Sequence, residues 1–209
     1  MVHLCILLFA VSLIYLSTSE RFRTFTVLIS LQGFLLFGIC FALLDAVEPF
    51  NLALIVVETV LFKALLVPAL MYRIIRRTGV SRVHKNALPT FYSVILTTLA
   101  LVLSVVLMPV LQDGSIDPLF FSTALFAMLT GLLLIITHKR LFSHLVGFLV
   151  IENAVFLFSV AVGNQMPMLI NAGVLLDIFM NVVIFGVFIT RINTHMPGLD
   201  VDTLATIKD

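Results

Sequence analysis

Charged residues make up only 11% of this chain, tryptophan is absent, and there are two cysteines. Each shortage excludes something. A soluble domain is about a quarter charged and about half apolar, whereas here 61% of residues are hydrophobic and the mean hydropathy is +1.21. Water-soluble enzyme folds are therefore set aside, and the chain reads as an integral membrane protein. A net charge of +1 gives no electrostatic basis for binding nucleic acid. Cys5 and Cys40 lie in apolar segments without the spacing of zinc or iron–sulfur ligands, and read as buried or lipid-facing small hydrophobes. No nucleotide loop, nucleophile elbow or metal-ligand cluster is present, so catalysis by this chain alone is not expected. Of the five histidines, His3 is at one end of the apolar pattern, and His84, His138, His144 and His195 are at the boundary of the other. No two lie at membrane depth on facing helices, which excludes a bis-histidine haem site.

Long apolar runs dominate what remains. A helix needs about 20 apolar residues to cross the hydrocarbon core. Seven segments meet that need, near residues 2–18, 24–45, 51–75, 89–111, 118–138, 143–163 and 167–192. The first has no basic leader and no clear small-x-small cleavage site, so it reads as a retained helix rather than a signal peptide. The loops are short, which leaves one membrane domain over 1–209 and a brief polar tail over 193–209. With 19 phenylalanines, many must face lipid or neighbouring subunits.

Seven crossings put alternate loops on opposite sides, and the charges sort with them. One side receives Arg21, Arg23, Arg73, Arg76, Arg77, Arg82, Lys85, Lys139, Arg140, Arg191 and Lys208. The other receives Asp45, Glu48, Asp113 and Asp117 and no basic residue. Only one of the 12 basic residues escapes this division, and that is Lys63, inside a span. The positive-inside rule then places the N-terminus outside and the C-terminus in the cytoplasm.

Four ionisable side chains fall within spans: Glu58, Lys63, Glu152 and Asp177. Each carries an insertion penalty of about 2.5–3.5 kcal/mol on translocon scales, and intramembrane acids commonly mark ion or proton routes. One buried acid alone is often only a helix–helix hydrogen bonder. Four in one small bundle favour a functional set. Helices 6 and 7 are joined by a tight turn, so Glu152 and Asp177 are expected at similar depth. Asn181 follows Asp177 by four residues and shares its face, and Asn153 adjoins Glu152. Lys63 follows Glu58 by five residues, roughly 140° around an α-helix, so those two are expected on different faces, with Lys63 reaching another helix or another subunit. A lysine in low dielectric loses its proton readily, which suits a relay. Gly33, Gly38, Gly131, Gly147, Gly173 and Gly186 most simply allow close helix contact.

A faint internal repeat accompanies these residues. Pro49 and Arg73 flank helix 3 as Pro167 and Arg191 flank helix 7, Glu58 falls one residue from the position of Asp177, and Gln32 falls near that of Glu152. The chain thus reads as two three-helix units, helices 1–3 (1–76) and helices 5–7 (118–192), joined by helix 4 (89–111). Both units run in the same direction, an arrangement known among membrane proteins.

The stretches VVETVLFKALLVPALM (56–71), VIENAVFLFSV (150–160) and AGVLLDIFMNVVIFGVF (172–188) resemble the hydrogenase-4 component E family (HyfE). The C-terminal part of that family is similar to NuoK of respiratory complex I and to MrpC of multisubunit cation/proton antiporters. Length and hydropathy match over nearly the whole chain, and the specific motifs over about a quarter of it. Glu152 with Asn153–Ala154 matches the middle-helix glutamate of the NuoK pattern, at closer spacing. Asp177 stands where that pattern has a second glutamate. In the N-terminal copy Gln32 replaces the first acid and Glu58 keeps the second.

The resemblance implies an all-α fold of two NuoK-like units. It also implies a bacterial or archaeal cytoplasmic membrane, and a place in the membrane arm of a complex I-related group 4 nickel–iron hydrogenase or formate hydrogenlyase-type complex. The nickel–iron centre and iron–sulfur clusters would belong to partner subunits, with antiporter-like proteins and a membrane anchor alongside. This chain would hold no cofactor and would supply Glu58, Lys63, Glu152 and Asp177 to proton or cation translocation, supported by Gln32, Asn153 and Asn181. One alternative is a subunit of a redox-independent multisubunit cation/proton antiporter. Others are a scaffold whose acids are satisfied hydrogen bonders, and a self-sufficient transporter.

Overall fold

The computed structural model describes residues 2–19, 21–43, 53, 56–78, 90–111, 116–138 and 141–161, together with 179, 183 and 186. These residues are almost entirely helical, and no β-strand occurs among them. In order they form α1 (Val2–Thr18), α2 (Phe22–Ala42), a π-helical segment (Val56–Leu66) running directly into α3 (Val67–Thr78), α4 (Thr90–Val106), a 3₁₀ turn (Met108–Leu111), α5 (Pro118–Thr137) and α6 (Leu141–Ala161). Three stretches are long and apolar enough to cross a membrane: Phe22–Ala42, Pro118–Thr137 and Phe142–Ala161. Val2–Thr18 and Phe91–Val106 are shorter apolar helices. Of the span expected at 167–192, the described residues are Phe179, Val183 and Gly186, each helical.

Helix ends follow from local chemistry. Asp117 caps α5, accepting from the N–H groups of Leu119 (2.9 Å) and Phe120 (3.3 Å), and Pro118 takes the first helical position, where its missing N–H costs nothing. The span expected to run on to residue 111 stops short. Its α-helix ends at Val106, and a 3₁₀ turn contains Pro109. Proline has no N–H for the i→i−4 ladder and biases the residue before it away from the α conformation.

Small polar side chains on several helices turn inward, and many large apolar ones face outward. On α4, Ser93, Thr97, Ala100 and Ser104 are buried at spacings of four, three and four, while Phe91 is 70% exposed and Leu99 61%. In an apolar setting a hydroxyl returns its proton to a carbonyl of the preceding turn. Ser12 does so to Phe9 O (2.6 Å), Thr97 to Ser93 O (2.9 Å), Thr130 to Phe126 O (2.8 Å) and Thr137 to Leu133 O (2.6 Å). Satisfied this way, they pack like small apolar residues.

Among the described residues the most extensive packing is between α5 and α6. It is close because two glycines face each other: a Cβ on Gly131 would lie 2.8 Å from Gly147 O, and one on Gly147 would lie 2.8 Å from Gly131 O. The main chain ties one end of this hairpin, with Asp117 N–H donating to Ala161 O at 2.8 Å. At its other end the Phe22 and Phe142 rings meet edge to face (4.4 Å), and Phe25 lies 6.2 Å from His138. The start of α2 therefore sits beside the α5–α6 turn. α2 contacts α1, the π segment, α3 and α6, and its own fully buried Phe25 and Leu36 join Phe9 and Leu13 of α1 and Met71 of α3 in the core.

Candidate functional site

Lys63, on the π segment, and Glu152, on α6, form an ion pair deep in the bundle, their side chains 6% and 10% exposed. Phe156 follows Glu152 by four residues and so shares its face. Its ring lies 4.4 Å from the Lys63 ammonium, adding a cation–π contact. A small cavity beside the pair is lined by Ile29, Phe62, Val67, Leu149, Asn153 and Phe179 as well as the two charges, and has room for about one water molecule. Opposite charges at this depth offset each other's desolvation only because they meet.

The π geometry presents the lysine. Pro68 has no N–H for the Ala64 carbonyl, and in an α-helix its ring would press on that carbonyl. The helix widens to an i→i+5 pattern upstream of the proline, and Ser30 on α2 donates its hydroxyl to Ala64 O at 2.6 Å. Gly33, also on α2, lies against the same point. A Cβ there would be 2.7 Å from Ala64 N and 2.9 Å from Lys63 C.

A second polar element runs beside the pair. Asn153 Nδ2 donates to Gln32 Oε1 (3.1 Å), Gln32 Nε2 donates to Ser12 Oγ (3.0 Å), and Ser12 donates to Phe9 O (2.6 Å). Gln32 has no exposed surface. The string links α6 through α2 to α1 and ends on a main-chain carbonyl.

The structure thus brings together four of the sequence-derived candidates: Lys63, Glu152, Asn153 and Gln32. Lys63 reaches another helix of the same chain. The expectation that positions 58 and 63 occupy different faces concerns a side chain at 58 that lies outside the described residues. Glu58 lies in the π segment, and its side chain, like Asp177 and Asn181 as a whole, falls outside the described residues. Ser12, Ser30 and Pro68 were not singled out from the sequence. Pro68 carried the signal, since a proline within an apolar helix leaves the carbonyl four residues earlier in need of a donor.

At the basic end of the bundle, His138 is buried, with Nδ1 3.2 Å from Leu134 O and 2.9 Å from Thr137 Oγ1. Thr137 gives its own proton to Leu133 O, so Nδ1–H is the donor to both oxygens. His144 Nε2 lies 2.7 Å from the His138 carbonyl, to which it donates. Burial pushes the His138 imidazole below its ordinary value, the Leu134 carbonyl opposes that shift, and the charge of His144 adds to it. Among the described residues no group of three or more His, Cys, Asp or Glu side chains could hold a metal ion. Comparisons with protein-family models, with curated proteins and with solved structures find no match for the chain.

Proposed function

We propose that this chain is a non-catalytic membrane subunit whose buried ionisable residues take part in moving protons, or another cation, across the bilayer. The observation that carries the reading is the Lys63–Glu152 pair, two opposite charges in a hydrocarbon setting beside a cavity of water size. A scaffold has no need of them, since well-packed apolar residues hold helices together as well as or better than a buried ion pair. Intramembrane charges that face a bundle interior and pair with each other are the usual mark of an ion route. In this proposal the chain crosses the membrane seven times with its C-terminus in the cytoplasm, and Glu58 and Asp177 extend the titrating set.

The resemblance to hydrogenase-4 component E suggests the assembly: the membrane arm of a complex I-related group 4 nickel–iron hydrogenase, with the metal centres and the redox chemistry in partner subunits. Gentle purification through a C-terminal tag, followed by mass spectrometry of the complex, tests this. A nickel–iron large subunit and iron–sulfur proteins are expected. Antiporter-like membrane proteins alone would move the chain to a redox-independent cation/proton antiporter, and recovery of the chain by itself would overturn both assignments. Within the complex, Glu152→Gln is expected to assemble normally and to lower proton translocation per turnover at least about tenfold. Unchanged translocation would leave the pair a structural one.

A further inference from the structure

Ion pairs buried in hydrocarbon are sensitive to placement, because a displaced charge loses its partner without gaining water. Both partners here hang from one short stretch of α2. Ser30 donates to the Ala64 carbonyl directly after Lys63. Gly33 rests on the Lys63–Ala64 peptide, so closely that no side chain fits between. Gln32, pointing the other way, holds Asn153, the neighbour of Glu152 on α6, and is itself held by Ser12 of α1. Adjacent residues on a helix differ by about 100° in direction. The turn can therefore grip the lysine-bearing segment with one side and the glutamate-bearing helix with the other.

We propose that one turn of α2, Ser30 to Gly33, positions the Lys63–Glu152 pair: Ser30 and Gly33 fix the main chain that carries Lys63, and Gln32, through Asn153, fixes the rotation of α6 that aims Glu152. Ser30 bonds the Ala64 carbonyl, Gly33 packs on main chain and Gln32 bonds Asn153, so each acts through another residue. The proposal rests on the reading of the pair as functional, but the geometry it claims can be measured without any transport.

The test is a double-mutant cycle on the full chain in lipid nanodiscs, with Lys63→Met, Glu152→Gln and their combination, read as unfolding equilibria. It is run in the native background and again with Gln32→Leu or Ser30→Ala. A coupling on the order of tenfold between positions 63 and 152 is expected in the native background, falling to within about threefold of none in both variant backgrounds. The infrared carboxylate stretch of Glu152, identified as the band missing in Glu152→Gln, is expected to move in both variants. Where Gln32→Leu lowers stability too far, Gln32→Leu/Asn153→Leu removes both amides and orphans neither; its stability is expected to recover while the coupling stays lost. Native coupling and an unmoved band in these variants would make the turn a packing element only and overturn the proposal. A native coupling that collapses as expected, alongside normal proton translocation in Glu152→Gln, would uphold the positioning role and remove the transport role.

Discussion

Removing one partner of the Lys63–Glu152 pair leaves the other charged in surroundings about as apolar as lipid. Lys63→Met is expected to cost about 3–5 kcal/mol in unfolding experiments in nanodiscs, and Lys63→Met/Glu152→Leu to return most of it. Glu152→Gln keeps a carbonyl oxygen for the ammonium and should cost less, which makes it the substitution for transport assays. His138 gives a pH prediction of definite sign. Its imidazole is held below the ordinary value of about 6.5, so the unfolded chain binds the proton more readily than the folded one. Stability is therefore complete above that pH and declines as pH falls through it. His138→Phe, which can still pack on Phe25, should flatten the decline between about pH 7 and 5 in thermal unfolding. At this scale the sequence was informative about which residues are out of place in hydrocarbon, because an insertion penalty is a local quantity. It was silent about which of them meet, since Lys63 could equally have faced another subunit.

Among the elements, the π segment departs furthest from what hydropathy implies. Apolarity marks a helix without distinguishing an i→i+4 from an i→i+5 ladder. Only Pro68, with the carbonyl it leaves unserved, carries that information. Replacing Pro68 with alanine supplies an N–H to the Ala64 carbonyl and makes the Ser30 hydroxyl redundant. Ser30→Ala should then cost about 1 kcal/mol in the native chain and measurably less in a Pro68→Ala background, compared by denaturant unfolding. Gly33→Ala is the sharper change, because its methyl would meet main chain, which does not give way as a flexible side chain does. A loss of about 1–3 kcal/mol is expected from such overpacking. The small residues at helix contacts were legible beforehand, and Gly33, Gly131 and Gly147 do lie in tight contacts. Their partners were not, since a glycine leaves room without naming what fills it. Pro109, which ends α4 a turn early, was as visible in the sequence as the run of apolar residues around it, and the run outweighed it.

For the whole molecule, Arg21 and Arg23 lie at the end of the bundle marked by the Phe22–Phe142 and Phe25–His138 contacts. The proposed orientation makes that end cytoplasmic. Single cysteines introduced at Arg23 and Lys139 in a chain lacking Cys5 and Cys40 should resist a membrane-impermeant thiol reagent in intact cells, whereas one at Asp113 should react. The reverse pattern would invert the topology. A link that passes a proton along must be able to accept one before releasing its own, and the amide nitrogens of Asn153 and Gln32 have no basic lone pair with which to do so. The string from Asn153 to the Phe9 carbonyl polarises without relaying a proton and behaves as an insulator laid against the charged pair. α1 is thereby braced to the charged centre, and on the proposed reading this string offers a proton no path from the pair toward α1.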